Sequence, residues 1–63
     1  MTTFEERYAT AAREFLERAW QALSDGSYRT AAFAAEDAAN TLAELAAVLT
    51  TRAAQERKEA AES

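Results

Sequence analysis

The chain has no cysteine, no histidine and no proline, and a single glycine in 63 residues. Without cysteine there is no disulfide framework and no thiolate nucleophile. Without histidine the commonest general base and the commonest metal ligand are missing. A single glycine and no proline leave little punctuation, which suits a fold with one break rather than many turns. Long apolar runs are also lacking. None approaches the roughly 18–20 residues that span a bilayer. Positive charge is in the minority, seven bases against eleven acids, for a net charge of −4. Nucleic acid is a poor default partner, because phosphate binding calls for a basic face. The opening Met1-Thr2-Thr3-Phe4-Glu5-Glu6-Arg7 is acidic early and has no apolar stretch, so it does not read as a signal peptide. The expectation is a cytoplasmic protein with no membrane contact.

What is present is helix-forming. Alanine, the best helix former, dominates, with Glu, Gln, Arg and Leu around it. A first helix is predicted over about residues 3–24. Thr3 and Glu6 have capping-box spacing, and the acids of the first turn suit the helix dipole. Phe4, Tyr8, Ala11, Ala12, Phe15, Ala19, Ala22 and Leu23 recur at steps of three and four, the mark of one buried face. Leu16 and Trp20 widen that stripe. Glu14 and Arg18 are spaced for an i, i+4 ion pair.

The run Ser24-Asp25-Gly26-Ser27 supplies the turn, over about 24–27. Gly26 can adopt positive φ and end the helix. Ser27 or Asp25 can cap the next one. So short a connection implies antiparallel neighbours. A second helix is predicted over about 28–58, with a frayed tail at 59–63. Its stripe is Tyr28, Ala31, Ala32, Ala35, Ala38, Ala39, Leu42, Leu45, Ala46, Leu49 and Ala53. Tyr28, Ala35, Leu42 and Leu49 repeat every seven residues, as in a coiled-coil seam. Phe33 and Val48 fall off that row. Thr50-Thr51 is a candidate weak break, because β-branched residues are mediocre helix formers.

The fold class that follows is all-α: a two-helix antiparallel hairpin, a single domain over 1–63. A chain this short sits near the lower limit for a self-sufficient core. Its bulky apolar set exceeds what one two-helix seam can use. Dimerisation into a four-helix bundle is therefore expected, with Phe15, Trp20, Tyr28, Phe33, Leu42, Leu45 and Leu49 at the interface. A helix from another protein, or a bent three-helix monomer broken near Thr50, would answer the same need.

Chemistry-bearing constellations are thin. Glu14, Glu17, Glu36, Asp37 and Glu44 could converge between helices. Carboxylate di-iron bundles, however, add a Glu-x-x-His motif, which this chain cannot supply. No catalytic, metal-binding or cofactor-binding residue is assigned. Asn40 and Thr41 lie beside the seam and could fix register. Trp20, Tyr28 and Phe33 cluster near the turn, where an exposed aromatic patch would be a docking site.

One stretch carries a resemblance. Ala19-Trp20-Gln21-Ala22-Leu23-Ser24-Asp25-Gly26-Ser27-Tyr28-Arg29-Thr30-Ala31, followed by Ala35-Glu36-Asp37-Ala38-Ala39-Asn40-Thr41-Leu42, resembles the core hairpin of HEPN domains. It covers about half the chain. The segment Gly26-x-Tyr28-x-x-Ala31 also resembles a tetratricopeptide repeat, although solenoids need about three repeats. The HEPN likeness implies a helical scaffold that dimerises. The ribonuclease motif of that family pairs an arginine with a histidine, so its activity does not carry over. Two readings follow. The first is a non-enzymatic interaction and assembly module. The second is a small-ligand or nucleotide-binding accessory subunit of an HEPN-like system, with Tyr28, Arg29 and Asn40 at its pocket.

Overall fold

The computed structural model describes residues 3–62 as two helices, α1 (Phe4–Ser24) and α2 (Tyr28–Glu62). The all-α hairpin read from the sequence is the fold that forms. Helix α1 starts where its cap was expected: Thr3 is extended, and its hydroxyl accepts a hydrogen bond from the Glu6 amide at 3.2 Å. At the other end Gly26 adopts φ of 74°. The Gly26 amide donates to the Leu23 carbonyl at 3.1 Å, and the Ser27 amide to the Ala22 carbonyl at 2.8 Å. That pair of bonds is a Schellman motif, which satisfies carbonyls the helix end would otherwise leave open. Ser27 then opens α2. Its carbonyl accepts from the Ala31 amide at 3.0 Å, and its hydroxyl donates to Thr30 Oγ1 at 3.2 Å.

Helix α2 is longer than predicted. It runs unbroken through Thr50 and Thr51 to Glu62, so the bent three-helix alternative does not form. The Thr51 hydroxyl donates to the Ala47 carbonyl at 3.1 Å, so its side-chain donor is satisfied within the helix. Four residues of the expected frayed tail, 59–62, are helical, and Ser63 lies outside the described residues.

The seam between the helices is made of small side chains. On α1 the buried residues are Ala12, Ala19 and Ala22, in line with half-buried Glu5, Tyr8 and Phe15. On α2 they are Ala31, Ala34, Ala38 and Leu45, in line with half-buried Thr41 and Val48. Both rows alternate steps of three and four, the knobs-into-holes spacing. This corrects the predicted seam. The row Tyr28, Ala35, Leu42, Leu49 is not the hairpin contact: all four are exposed. Ala34, Thr41 and Val48 take that place instead. Thr41 fits the seam because its hydroxyl donates to the carbonyl of Asp37 at 2.8 Å, leaving no polar group stranded. Asn40 is exposed and sets no register.

Among the described residues no large side chain is fully buried. The backbone extends over 54 × 23 × 13 Å with a radius of gyration of 15.8 Å. A compact body of this length would have a radius near ~11 Å. The hairpin is a slab one helix thick, whereas a domain core is ordinarily closed by two layers.

Two substitutions test this packing. Ala38 is 2% exposed, so Ala38→Leu should destabilise by about 1–3 kcal/mol through overpacking, while Ala43→Leu on the outer side should be near neutral; urea unfolding reads both. A methyl group added at Gly26 would meet nothing within 4 Å. Gly26→Ala should therefore cost about 1 kcal/mol from the backbone conformation alone, and Gly26→Asn less.

Candidate functional site: an apolar face on one side of the hairpin

The large apolar residues that the seam leaves out are not scattered. On α1, Leu16, Trp20 and Leu23 each follow a seam residue by one position, as do Ala9 and the charged pair Glu6 and Arg13. On α2, Tyr28 follows the turn, and Ala32, Ala35, Ala39, Leu42, Ala46 and Leu49 each follow a seam residue by one. One step along a helix is a right-handed rotation of about 100°. The helices run in opposite directions, so the same rotation turns both rows to the same face of the slab. Seven successive rungs of α2 are apolar on this face. Trp20 is 68% exposed, Tyr28 74% and Leu16 53%. Leu23, Leu42 and Leu49 are exposed too. Contiguous apolar surface of this kind marks an interaction site.

The opposite face is polar. It carries the residues one position before each seam residue, among them Glu14, Arg18, Gln21, Thr30, Asp37, Asn40 and Glu44. Near the turn, Glu14, Glu17, Arg18, Gln21, Ala22, Asp25, Ser27 and Thr30 line a shallow open hollow of about 530 Å³. Arg18 does not form the expected pair with Glu14. Its guanidinium sits over the Phe15 ring, 5.7 Å from the centroid, where the ring's negative face attracts it. Phe4 packs on Tyr8 with centroids 4.5 Å apart. At the far end of α1, Arg52 Nε lies 3.3 Å from Glu5 Oε1, tying α2 to the first turn of α1. The Arg52 end of this bridge is solvated while Glu5 is half-buried, so its contribution is that of a partly screened surface pair.

The residues singled out in the sequence divide between these places. Trp20, Tyr28, Leu42 and Leu49 lie on the apolar face. Leu45 is buried in the hairpin seam and Phe15 is half-buried there. Phe33 is 61% exposed but precedes a seam residue, so it stands on the polar face, away from Trp20 and Tyr28. The ligand-pocket trio is not assembled either: Tyr28 belongs to the apolar face, Asn40 to the polar one, and Arg29 to the outer side of α2. Among the described residues no group of three acidic side chains could hold a metal ion, and no helix is long and apolar enough to cross a membrane. Sequence reasoning missed the alanine row Ala32, Ala35, Ala39 and Ala46 as a surface in its own right. Its signal was present, an uncharged row one position off the seam.

No protein-family model matches the chain, and no curated protein or solved structure matches it.

Among the described residues one titratable group, Tyr8, is shifted. Hydrogen bonding to Glu44, then that carboxylate's charge, then burial, raise the Tyr8 hydroxyl above its ordinary 10.0. A phenol whose pKa is raised by folding adds stability below the unfolded value, and the contribution is lost as pH rises through the folded value. Thermal unfolding followed above pH 10 should show a steeper loss for the wild type than for Tyr8→Phe.

Proposed function

We propose that the chain is a non-enzymatic assembly module whose work is association through this apolar face, and that it completes its core by dimerising into a four-helix bundle. The single observation that carries the reading is the slab itself: one helix thick, with its bulkiest side chains on one side and exposed. The accessible surface is 5228 Å², against roughly 4,000 Å² for a compact monomer of this mass. Part of that excess is the polar end of α2, and the rest includes the face that a second layer would cover. Association then contributes to folding, so stability rises with concentration.

The test is light scattering coupled to size exclusion, with thermal unfolding over a hundredfold range of concentration. A dimer whose midpoint climbs with concentration is the expected result. A folded monomer throughout would overturn the reading. Leucine truncation gives a second measure. In a free hairpin Leu42 and Leu49 are 44% and 47% exposed, and their loss would be mild. Covered by a partner, each Leu→Ala change should cost about 2–5 kcal/mol, and Leu49→Asp should leave a largely unfolded monomer because a carboxylate would be buried without a partner. Lys58→Ala, on the exposed end of α2, should change little.

A further inference from the structure

The apolar face has a pattern of size as well as polarity, and the pattern selects one way of stacking two copies. The seam rows bring Ala22 level with Ala31, Ala19 with Ala34, Phe15 with Ala38, Ala12 with Thr41 and Tyr8 with Leu45. One position on, Leu23 stands level with Ala32, Trp20 with Ala35 and Leu16 with Ala39. Near the turn, therefore, α1 presents three large side chains and α2 presents three alanines. Farther from the turn, Leu42 and Leu49 of α2 stand level with Arg13 and Glu6 of α1.

We infer that the occupant of this face is a second copy of the same chain, stacked with both turns at one end, so that α1 of each copy lies across α2 of the other. This rests on the assembly reading above and adds the geometry to it. In that arrangement Leu16, Trp20 and Leu23 of one copy fill the trough over Ala32, Ala35 and Ala39 of the other. The two-fold axis repeats the fit on the other side. Both helix-on-helix pairs are then identical and the gap between layers is even, as close packing requires. Leu42 and Leu49 meet the aliphatic stems around Arg13 and Glu6, whose charged ends reach solvent at the rim. The alternative two-fold places the turns at opposite ends. It stacks α1 on α1 and α2 on α2. One pair then holds Leu16, Trp20 and Leu23 twice over, and the other holds four alanines per copy with Tyr28, Leu42 and Leu49 between and beyond them, so the two gaps between layers differ in width. Neighbouring helices are antiparallel in both, so helix dipoles do not decide between them; side-chain volume does.

The area is sufficient. A compact body of twice this mass exposes roughly 6,600 Å². Measured against two free chains of 5228 Å² each, stacking can remove up to roughly 3,800 Å², within the range of obligate homodimers. A closed two-fold pairing also leaves no apolar face over to recruit further copies.

The absence of cysteine makes the test direct. Asp25 at the turn and Glu59 near the end of α2 are both exposed. Each is changed to cysteine in a separate variant, labelled with a nitroxide, and the distance between the two copies is read by double electron–electron resonance. With the turns together, both variants should give distances below about 25 Å. With the turns at opposite ends, axial separation alone would be about 30 Å at position 25 and about 60 Å at position 59. A dimer with the long distances overturns the stacking and leaves the assembly reading standing. A monomer by light scattering, with no dipolar signal, overturns both. As a second check, Ala35→Trp should abolish the dimer by filling the trough, while Ala43→Trp, on the outer side of α2, should leave it intact. Dimerisation of Ala35→Trp with unchanged affinity would also sink the stacking.

Discussion

Close approach of two helices across alanine is the constraint from which the rest of this structure follows. Ala12, Ala19 and Ala22 of α1 and Ala31, Ala34 and Ala38 of α2 are the residues buried between the helices, with Leu45. Methyl groups leave room for little else between the backbones. Each buried alanine removes only a small apolar area from water, so the seam is weakly stabilising for its length. The larger side chains gather where the seam is less confined, at Tyr8, Phe15 and Leu45, or are turned out of it altogether. A wider seam would have admitted Leu16, Trp20 and Leu23. A narrow one sends them to the surface.

The turn and the helix lengths then fix where that surface lies. The Schellman bonds at Gly26 and Ser27 hold the crossover to three residues, which keeps the two rows level with each other. Helix α2 is 35 residues long against 21 for α1, so it outlasts α1 by about four turns. Beyond Ala53 it carries Gln55, Glu56, Arg57, Lys58 and Glu59, with no apolar row to bury, and the Arg52–Glu5 bridge marks where the tertiary structure ends. What remains is held by helix propensity, which is marginal for short segments in water. That end should open first in hydrogen exchange, and it adds exposed surface without adding to the docking face.

Much of this was legible in the sequence, and the part that was not has a physical reason. The Thr3 cap, the single break at Gly26 and the two helices are local signals, each set by a few adjacent residues, and each appears in place. The seam depends on which of two adjacent heptad rows faces the neighbouring helix. Tyr28, Ala35, Leu42 and Leu49 draw the eye because their bulk repeats every seven residues. Ala31, Ala38 and Leu45 of the predicted stripe are buried, but Ala34 and the half-buried Thr41 and Val48 complete the row, which is smaller and includes a hydroxyl. Size argues for burial only when the space is wide enough, and small side chains on both helices keep it narrow. Phe33 went astray for a related reason. Nearness to Trp20 and Tyr28 in sequence says nothing about which side of a helix a residue takes, and one position before the seam is the polar side. The continuity of α2 through Thr50 and Thr51 was equally hidden, since the helix penalty of two threonines is small beside the strong helix formers on either side.

The same one-step offset that misled the reading of the seam gives the molecule its two unlike faces. Residues before each seam position are largely charged or polar, and those after it are largely apolar on both helices. The large exceptions on the polar face, Phe4 and Phe33, stand far apart along the hairpin, the others, Ala11 and Ala47, are small, and isolated exposed apolar residues are ordinary. A slab with apolar surface on both sides would stack without limit. A slab with one such side is satisfied by one further layer. That layer must be apolar over the length of Tyr28, Ala35, Leu42 and Leu49, small where Trp20 projects and large where Ala32, Ala35 and Ala39 recede. The chain's own face meets all of these demands once it is turned about an axis parallel to the helices. Polarity in this sequence thus leaves one face for the proposed second layer, and the placement of alanine on that face is what the proposed stacking rests on.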